Sequence, residues 1–200
     1  RMVQANYSQY SSRYDKYLEG TVLPAFDPQL SGGALYDINI YNLNLIIGLF
    51  GAPNNLIYQA RKGFNGIDTS GVVLMSYPEF QALAIGAKDS DSPSTCLIQG
   101  EKGWLKVETA PNQLEKIACQ IRGEDNIQEY ALNQYPHRLS HEFAAFAAML
   151  ANKDFAGRDL YLNISLQVAE AAEKSRKQAD ISFLADQYLR SVPGGAKCPE

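Results

Sequence analysis

Two titratable side chains stand four residues apart just after a pair of glycines. Asp37 and Tyr41 follow Gly32 and Gly33 in a segment whose apolar spacing predicts a helix. Residues at i and i+4 lie on one face of a helix, so the carboxylate and the phenol would point the same way. A tyrosine can transfer a proton when a nearby charge lowers its pKa. The pair could therefore hold the hydroxyl group of a small molecule and move its proton.

The same residues also allow a purely structural interpretation. Asp37 could stabilise the positive end of the helix dipole, and Tyr41 could be a core residue whose hydroxyl meets water. Two cations, Arg13 and Lys16, lie in the polar stretch of residues 11–31 and could bind a hydroxyl, carboxylate or phosphate of a substrate. Charged residues of a solvated loop that binds no substrate would give the same sequence pattern. Residue types alone leave both interpretations open.

Other kinds of site find little support in the sequence. His137 and His141 are four residues apart but have no third ligand, so no metal site is predicted. The pattern G-x-G-x-x-G of dinucleotide-binding turns does not occur, and neither does the G-x-S-x-G of serine hydrolases. Cofactor binding and hydrolysis therefore cannot be argued from motifs within these residues.

Composition narrows the class of protein. The chain has 200 residues, of which 46% are hydrophobic and 20% charged, as expected for one large globular domain. A net charge of −4 gives no basic surface for nucleic acid or an anionic membrane. No apolar run approaches the ~20 residues of a membrane span, and the first residues lack the charged and apolar regions expected of a signal peptide. Three cysteines, Cys96, Cys119 and Cys198, lack metal-ligand spacing, which predicts reduced thiols and a cytoplasmic protein.

Hydrophobic periodicity predicts the order of elements. Residues 2–10 alternate like a strand, and residues 33–50 have a helical pattern that ends at Gly51. Seven short strands then follow in a meander over residues 54–132. Two helices come last, one with an apolar face and one over residues 159–178; that face comprises Leu139, Phe143, Phe146 and Leu150. We predict an α+β fold with an open, mostly antiparallel sheet and helices packed on one face.

Two of the predicted strands are apolar at both parities. Residues 72–75 and 82–85 offer neither face to water, whereas helices are expected to cover only one side of the sheet. We therefore expect a homo-oligomer, a homodimer or tetramer, formed through the open sheet face. The expected domain spans residues 1–187, and residues 188–200 are expected to form a C-terminal tail rich in Pro and Gly.

The segment around the Asp/Tyr pair resembles a known family. Asp27-Pro28, the run Gly32-Gly33-Ala34-Leu35 and Asp37 are similar to the GGxLxDxGxY/H stretch in the C-terminal domain of Gfo/Idh/MocA NAD(P)-dependent oxidoreductases. Residues 100–107 resemble that family's hairpin, and residues 142–146 and 165–175 resemble its last two helices. The resemblance implies a fold like that of dihydrodipicolinate reductase. It also implies that NAD or NADP binds mainly to an N-terminal Rossmann domain that is absent from this chain.

The resemblance also implies a function and residue roles. The chain would be the substrate-binding and assembly domain of an enzyme that transfers hydride to or from a sugar, polyol or related hydroxyl carbon, and it would be inactive by itself. Tyr41 would transfer the proton or clamp the substrate, with Asp37 as its partner. Asn39 stands where the family usually has Gly, so its side chain is expected to reach the substrate pocket. The alternative is a non-catalytic small-molecule-binding or oligomerisation module of the same fold.

Overall fold

The computed structural model describes residues 1–131 and 133–187 of the chain. It contains eight strands and four α-helices. The strands are β1 (Met2–Ser8), β2 (Asn55–Lys62), β3 (Asp68–Ser76), β4 (Gln81–Ala87), β5 (Thr95–Gly100), β6 (Gly103–Val107), β7 (Ile117–Ile121) and β8 (Gln128–Tyr130). The helices are α1 (Tyr14–Leu18), α2 (Ile40–Phe50), α3 (Arg138–Asn152) and α4 (Phe155–Gln178).

All eight strands form one open sheet in the order β2-β3-β4-β1-β5-β6-β7-β8. Every neighbouring pair is antiparallel except β1 and β4, which run parallel. The predicted mostly antiparallel open sheet is confirmed. The expected uninterrupted meander is wrong in one place: β1 lies between β4 and β5, because a strand from the start of the chain pairs with both. Thus β4 and β5 follow each other in the sequence after a short connection, but they are not adjacent in the sheet.

The two faces of the sheet differ in burial. Direct cross-strand partners share a face, and one such row is buried throughout: Tyr58, Val73, Ala84, Ala5 and Cys96. The opposite row contains Ile57, Leu74 and Leu83, and it is partly exposed. Helices α2 and α4 contact the buried side, where their apolar residues complete the core. The other side of the sheet stays open in the described structure.

The polar segment of residues 11–31 is more ordered than its composition predicts. It contains α1 and two 3₁₀ turns, Pro24–Phe26 and Pro28–Leu30. Tyr17 and Phe26 are buried, and their rings stack with centroids 4.8 Å apart. The Tyr17 hydroxyl donates a hydrogen bond to Asn65 Oδ1 at 2.6 Å. Two buried aromatic rings therefore hold this segment against the body of the molecule.

The C-terminal helices differ from expectation in position and packing. The predicted apolar face of α3 exists, but its members are exposed, with Phe143 at 69% and Leu150 at 68%. This helix contacts α4 and does not cover the sheet. Helix α4 begins at Phe155 rather than after Asp159, because the Asp154 side chain accepts a hydrogen bond from the Gly157 backbone N–H at 2.9 Å.

The structure describes residues 1–131 and 133–187, which limits the test of two sequence-based expectations. The predicted tail of residues 188–200, which includes Cys198, lies beyond the described residues. Within residues 1–131 and 133–187, no helix combines the length and apolar character that crossing a bilayer requires.

Candidate functional site

The glycine pair is required by close backbone packing ahead of α2. A Cβ on Gly32 would come within 2.7 Å of the Pro24 carbonyl oxygen, so a larger residue has no room there. Gly33 has a φ of +110°, and its Cβ would collide with the Asp68 side chain. Both glycines let the chain turn tightly against its neighbours. They fix where the following helical segment begins.

A buried carboxylate holds the start of that segment. Asp68 Oδ2 accepts hydrogen bonds from the Leu35 backbone N–H at 2.6 Å and from the Tyr58 hydroxyl at 2.7 Å. Burial raises the pKa of Asp68, and the hydrogen bond from Tyr58 opposes that rise. Burial also raises the pKa of Tyr58 well above its ordinary range. Asp68 therefore caps the helical segment from strand β3, far away in sequence.

Asp37 lies in a π-helical turn rather than in the first turn of an α-helix. Residues Leu35–Asn39 form this turn, and α2 continues from Ile40. Such turns are rare and occur often at functional sites. In spite of the wider turn, Asp37 and Tyr41 line the same cavity, as their spacing predicts.

The cavity is small and polar. Its volume is about 220 Å³, below the range of roughly 300–1,000 Å³ that holds drug-sized ligands, so it suits a small molecule. Among the described residues, Ile38 is the only aliphatic one in its walls. The other lining residues are Tyr7, Gln9, Ser11, Ser12, Arg13, Asp37, Tyr41, Lys88, Asn112 and Arg138.

Lys88 is the buried charge of the cavity. Its side-chain nitrogen lies 2.5 Å from Asp37 Oδ2 and donates a hydrogen bond to the Ala25 carbonyl oxygen at 2.6 Å. It also lies 4.4 Å from the ring centroid of Phe26, in cation–π contact. Burial lowers the pKa of Lys88, and the hydrogen bond to Asp37 opposes that effect.

Tyr41 stands beside another tyrosine at the cavity wall. Its ring centroid is 5.7 Å from that of Tyr7, with the planes tilted by 60°. Asn112 Nδ2 donates to the Tyr7 hydroxyl at 3.4 Å, which joins the loop after β6 to the same wall. Within the part of the chain that the structure describes, no hydrogen bond joins the Tyr41 hydroxyl to Asp37. Tyr41 is 39% exposed, so a ligand can reach it.

The predicted contact between Asn39 and a substrate is wrong. Asn39 is fully buried, and its Nδ2 donates to the Ala84 carbonyl oxygen at 3.1 Å. Its Oδ1 accepts from Asn42 Nδ2, which also donates to the Ile85 carbonyl oxygen. A Cβ on Gly86 would lie 2.6 Å from the Asn39 Cβ, so the glycine of β4 makes room for this side chain. Asn39 fastens the helix to the sheet.

The two predicted cations have different positions. Arg13 lines the small cavity and also an adjoining open cleft of about 530 Å³, which shares Asp37 with it. Lys16 is exposed on α1 and lines neither space. His137 accepts a hydrogen bond from the Leu139 backbone N–H and so caps α3. Among the described residues, no three His, Cys, Asp or Glu side chains cluster as metal ligands would.

Eight wall residues were not found from the sequence: Tyr7, Gln9, Ser11, Ser12, Ile38, Lys88, Asn112 and Arg138. A usable signal existed for Lys88, because it continues the buried parity of β4 through Ala84 and Gly86. A lysine at such a position indicates a paired, buried charge. Asn112 lies in the loop between β6 and β7, and Arg138 is the first residue of α3. At neither position does the spacing of apolar residues indicate whether the side chain is buried.

The geometry favours chemistry on a hydroxyl group. The Asp37 carboxylate can accept a hydrogen bond from a ligand, Tyr41 can exchange a proton, and Arg13 can bind polar oxygens. The described residues contain no glycine-rich βαβ turn, so they offer no cradle for the phosphates of a dinucleotide.

Comparison with known proteins gives several matches. Residues 1–106 match the model of the GFO/IDH/MocA C-terminal domain. The chain is 33% identical over 187 residues to the scyllo-inositol 2-dehydrogenase (NADP(+)) IolU of Bacillus subtilis (strain 168). It is 34% identical over 188 residues to the uncharacterized oxidoreductase YgjR of Escherichia coli (strain K12). These alignments cover 94% and 93% of this chain but 56% of each relative, so the chain spans about half of their length.

Solved structures share the fold at low sequence identity. KijD10, a 3-ketoreductase from Actinomadura kijaniata crystallised with NADP and TDP-benzene, has a TM-score of 0.67 at 17% identity, over 89% of this chain and 53% of that one. The aldose-aldose oxidoreductase of Caulobacter crescentus has a TM-score of 0.60 at 18% identity, over 87% and 53%. The match to the family model covers 106 of the 200 residues, which establishes the family of this chain. The chain belongs to the Gfo/Idh/MocA family and contains that family's C-terminal domain.

Proposed function

We propose that this chain is the substrate-binding and assembly domain of an NAD(P)-dependent oxidoreductase that acts on a sugar, polyol or related hydroxyl carbon. The observation that carries the proposal is the small polar cavity in which Asp37 and Tyr41 meet Lys88 and Arg13. The B. subtilis relative is named for scyllo-inositol and NADP(+), which favours a polyol and NADP. A non-catalytic binding or assembly module remains the competing proposal.

Asp37 and Tyr41 have different roles toward the hydroxyl groups of the substrate. Asp37 accepts a hydrogen bond from one hydroxyl and thereby orients the ring or chain of the substrate. Tyr41 relays the proton of the reacting hydroxyl: during oxidation the phenol accepts it while passing its own proton to water, and during reduction the transfers run in reverse. Hydride transfer is the chemistry that a nicotinamide would supply when bound. We place its binding site mainly in an N-terminal Rossmann domain outside this chain, and a cytoplasmic location for the whole protein stays a prediction.

The proposal is tested with the full-length protein that contains this domain. We expect it to reduce NADP+ or NAD+ with at least one member of a panel of inositols, sugars and polyols, measured as absorbance at 340 nm. Asp37→Asn should lower kcat/KM, because it removes the charge that faces the hydroxyl.

A matched control is Asp159→Asn, since Asp159 is an exposed carboxylate on α4. It should leave the activity unchanged. Ligand binding without turnover of either nucleotide would favour the non-catalytic module. Equal activity of the parent and Asp37→Asn proteins would show that the chemistry lies elsewhere.

A further inference from the structure

The ion pair between Lys88 and Asp37 is markedly asymmetric. The side chain of Lys88 is only 3% exposed, whereas that of Asp37 is 54% exposed. The cation is therefore part of the protein interior, and the carboxylate faces the cavity. An ordinary surface pair would expose both groups, and a core pair would bury both.

Burial of the ammonium needs compensation from its surroundings. The Ala25 carbonyl oxygen and Asp37 Oδ2 satisfy two of its three donors, and the Phe26 ring lies against it. Burying a charge costs free energy, and well-packed apolar side chains often replace buried ion pairs without loss of stability. Global stability alone is therefore a weak reason for a lysine at this position.

The charges around Lys88 come from several elements. Asp37 faces it from the π-helical turn, Asp68 from β3 and Arg13 from the segment after β1. Arg138, at the start of α3, lines the same cavity. In the described residues 1–131 and 133–187, Lys88 is the one side chain that pairs with Asp37. Its bond uses Oδ2, so Oδ1 stays available to a ligand.

We propose that Lys88 is a positioning residue of this site, whose buried ammonium anchors one oxygen of Asp37 so that the other faces the substrate hydroxyl. The inference rests on the proposed function and assigns a role to a residue that acts through Asp37. The Ala25 carbonyl oxygen in the Pro24–Phe26 turn fixes the ammonium of Lys88, so the orientation of Asp37 follows from that turn and from the residue just after β4. A carboxylate without this anchor would sample several rotamers.

The experiment compares Lys88→Met, which keeps the stem and removes the charge, with parent full-length protein. We expect kcat/KM for the best substrate of the panel to fall about 10²-fold, as for a small misplacement of a contact group. The affinity for NADP+ should not change. In the Asp37→Asn background, Lys88→Met should cause little further loss, because the two residues act as one unit.

Lys62→Met is the matched control. Lys62 also donates to a backbone carbonyl oxygen, that of Ala179 at 2.6 Å, but it does not line the cavity. It should leave kcat/KM unchanged. If Lys88→Met fails to fold, Lys88→Gln, which keeps a donor for Ala25, takes its place in the same measurements.

Crystal structures of the parent and variant proteins give a readout that does not depend on turnover. We expect the Asp37 side chain to leave its present rotamer when residue 88 loses its charge. An unchanged Asp37 rotamer, or an additive loss in the Asp37→Asn background, would overturn the role of Lys88. Failure of the parent protein to oxidise any panel member would overturn the proposed function, while the rotamer would still decide the role of Lys88.

Discussion

Helices α2 and α3 both carry an apolar face, but only α2 is built into the core. The 11 residues of α2 include four that are buried: Asn42, Leu43, Ile46 and Ile47. The 15 residues of α3 include none that is buried in the described structure. Helix α2 lies on the sheet, whereas α3 contacts α4 and otherwise faces solvent.

The difference shows what an apolar stripe can and cannot predict. A stripe indicates that a face will be covered, but it does not identify the covering surface. The candidate site draws its fixed parts from the packed region, because Asp37 precedes α2, Tyr41 lies in its first turn and Lys88 directly follows β4. Only Arg138 comes from the exposed helix. The wall of the cavity formed near α2 and β4 is therefore rigid, whereas the wall formed by α3 has little packing behind it.

The largest expected effect is on the free energy of unfolding. Leu43→Ala should cost about 2–5 kcal/mol, because Leu43 is fully buried and the change leaves a cavity. Leu150→Ala removes the same atoms from α3 and should change stability by roughly 0.5 kcal/mol or less. Chemical denaturation of both variants measures the contrast. Equal costs would mean that the face of α3 is covered after all.

The second prediction separates two exposed apolar surfaces. Leu74 lies on the open face of the sheet, and Phe146 lies on α3. If the sheet face forms the homo-oligomer, Leu74→Asp should weaken self-association of the full-length protein by about 10²-fold or more, as buried unpaired charges do. Phe146→Asp should not.

Light scattering during gel filtration gives the masses of the parent and of both variants. A parent protein that is monomeric at micromolar concentration would contradict the prediction. So would dissociation by Phe146→Asp alone, because it would assign the interface to α3.

The third prediction concerns the turn that starts the α2 region. Gly33→Ala should destabilise the protein by about 1–3 kcal/mol, since a side chain is strained at its positive φ and would meet Asp68. Gly48→Ala lies within α2 with open space around it and should stabilise by roughly 0.5–1 kcal/mol. Melting temperatures that move in opposite directions would confirm the pair. A harmless Gly33→Ala would mean that Asp68 does not hold this turn.

The smallest effect is a pH dependence at the end of α2. The Tyr77 hydroxyl donates to the Gly51 carbonyl oxygen at 2.9 Å, and burial raises the pKa of Tyr77 to about 12. The unfolded chain loses this proton first, near pH 10. The stability that the protonated phenol supplies is therefore complete below about pH 10 and is lost as the pH rises through about 12.

Tyr77→Phe tests this sign directly. The variant should be about 1 kcal/mol less stable than the parent at pH 7, because it lacks one hydrogen bond. The difference should shrink as the pH rises above 10. Denaturation curves at several pH values measure it, and a constant difference would contradict the assigned shift.

The sequence was informative where a residue's role depends on local spacing. Alternation and turns predicted the strands, and the four-residue spacing placed Asp37 and Tyr41 at one cavity. The position of β1 between β4 and β5 could not be predicted, because pairing of distant strands leaves no local pattern. Asn39 was misjudged for a related reason: its surroundings depend on Gly86, which lies 47 residues later in the sequence. Lys88 could have been found because it continues the buried parity of β4 by one residue.

The most direct test of the proposed chemistry is the turnover of Tyr41→Phe in the full-length protein. The change removes one oxygen and keeps the ring beside Tyr7, so the fold should lose about 1 kcal/mol or less. Tyr161→Phe, at an exposed tyrosine of α4, is the control and should keep normal activity. We predict that kcat for Tyr41→Phe falls by about 10²–10⁴-fold while NADP+ affinity is unchanged. Near-normal turnover would show that Tyr41 is a packing residue and that proton transfer occurs elsewhere.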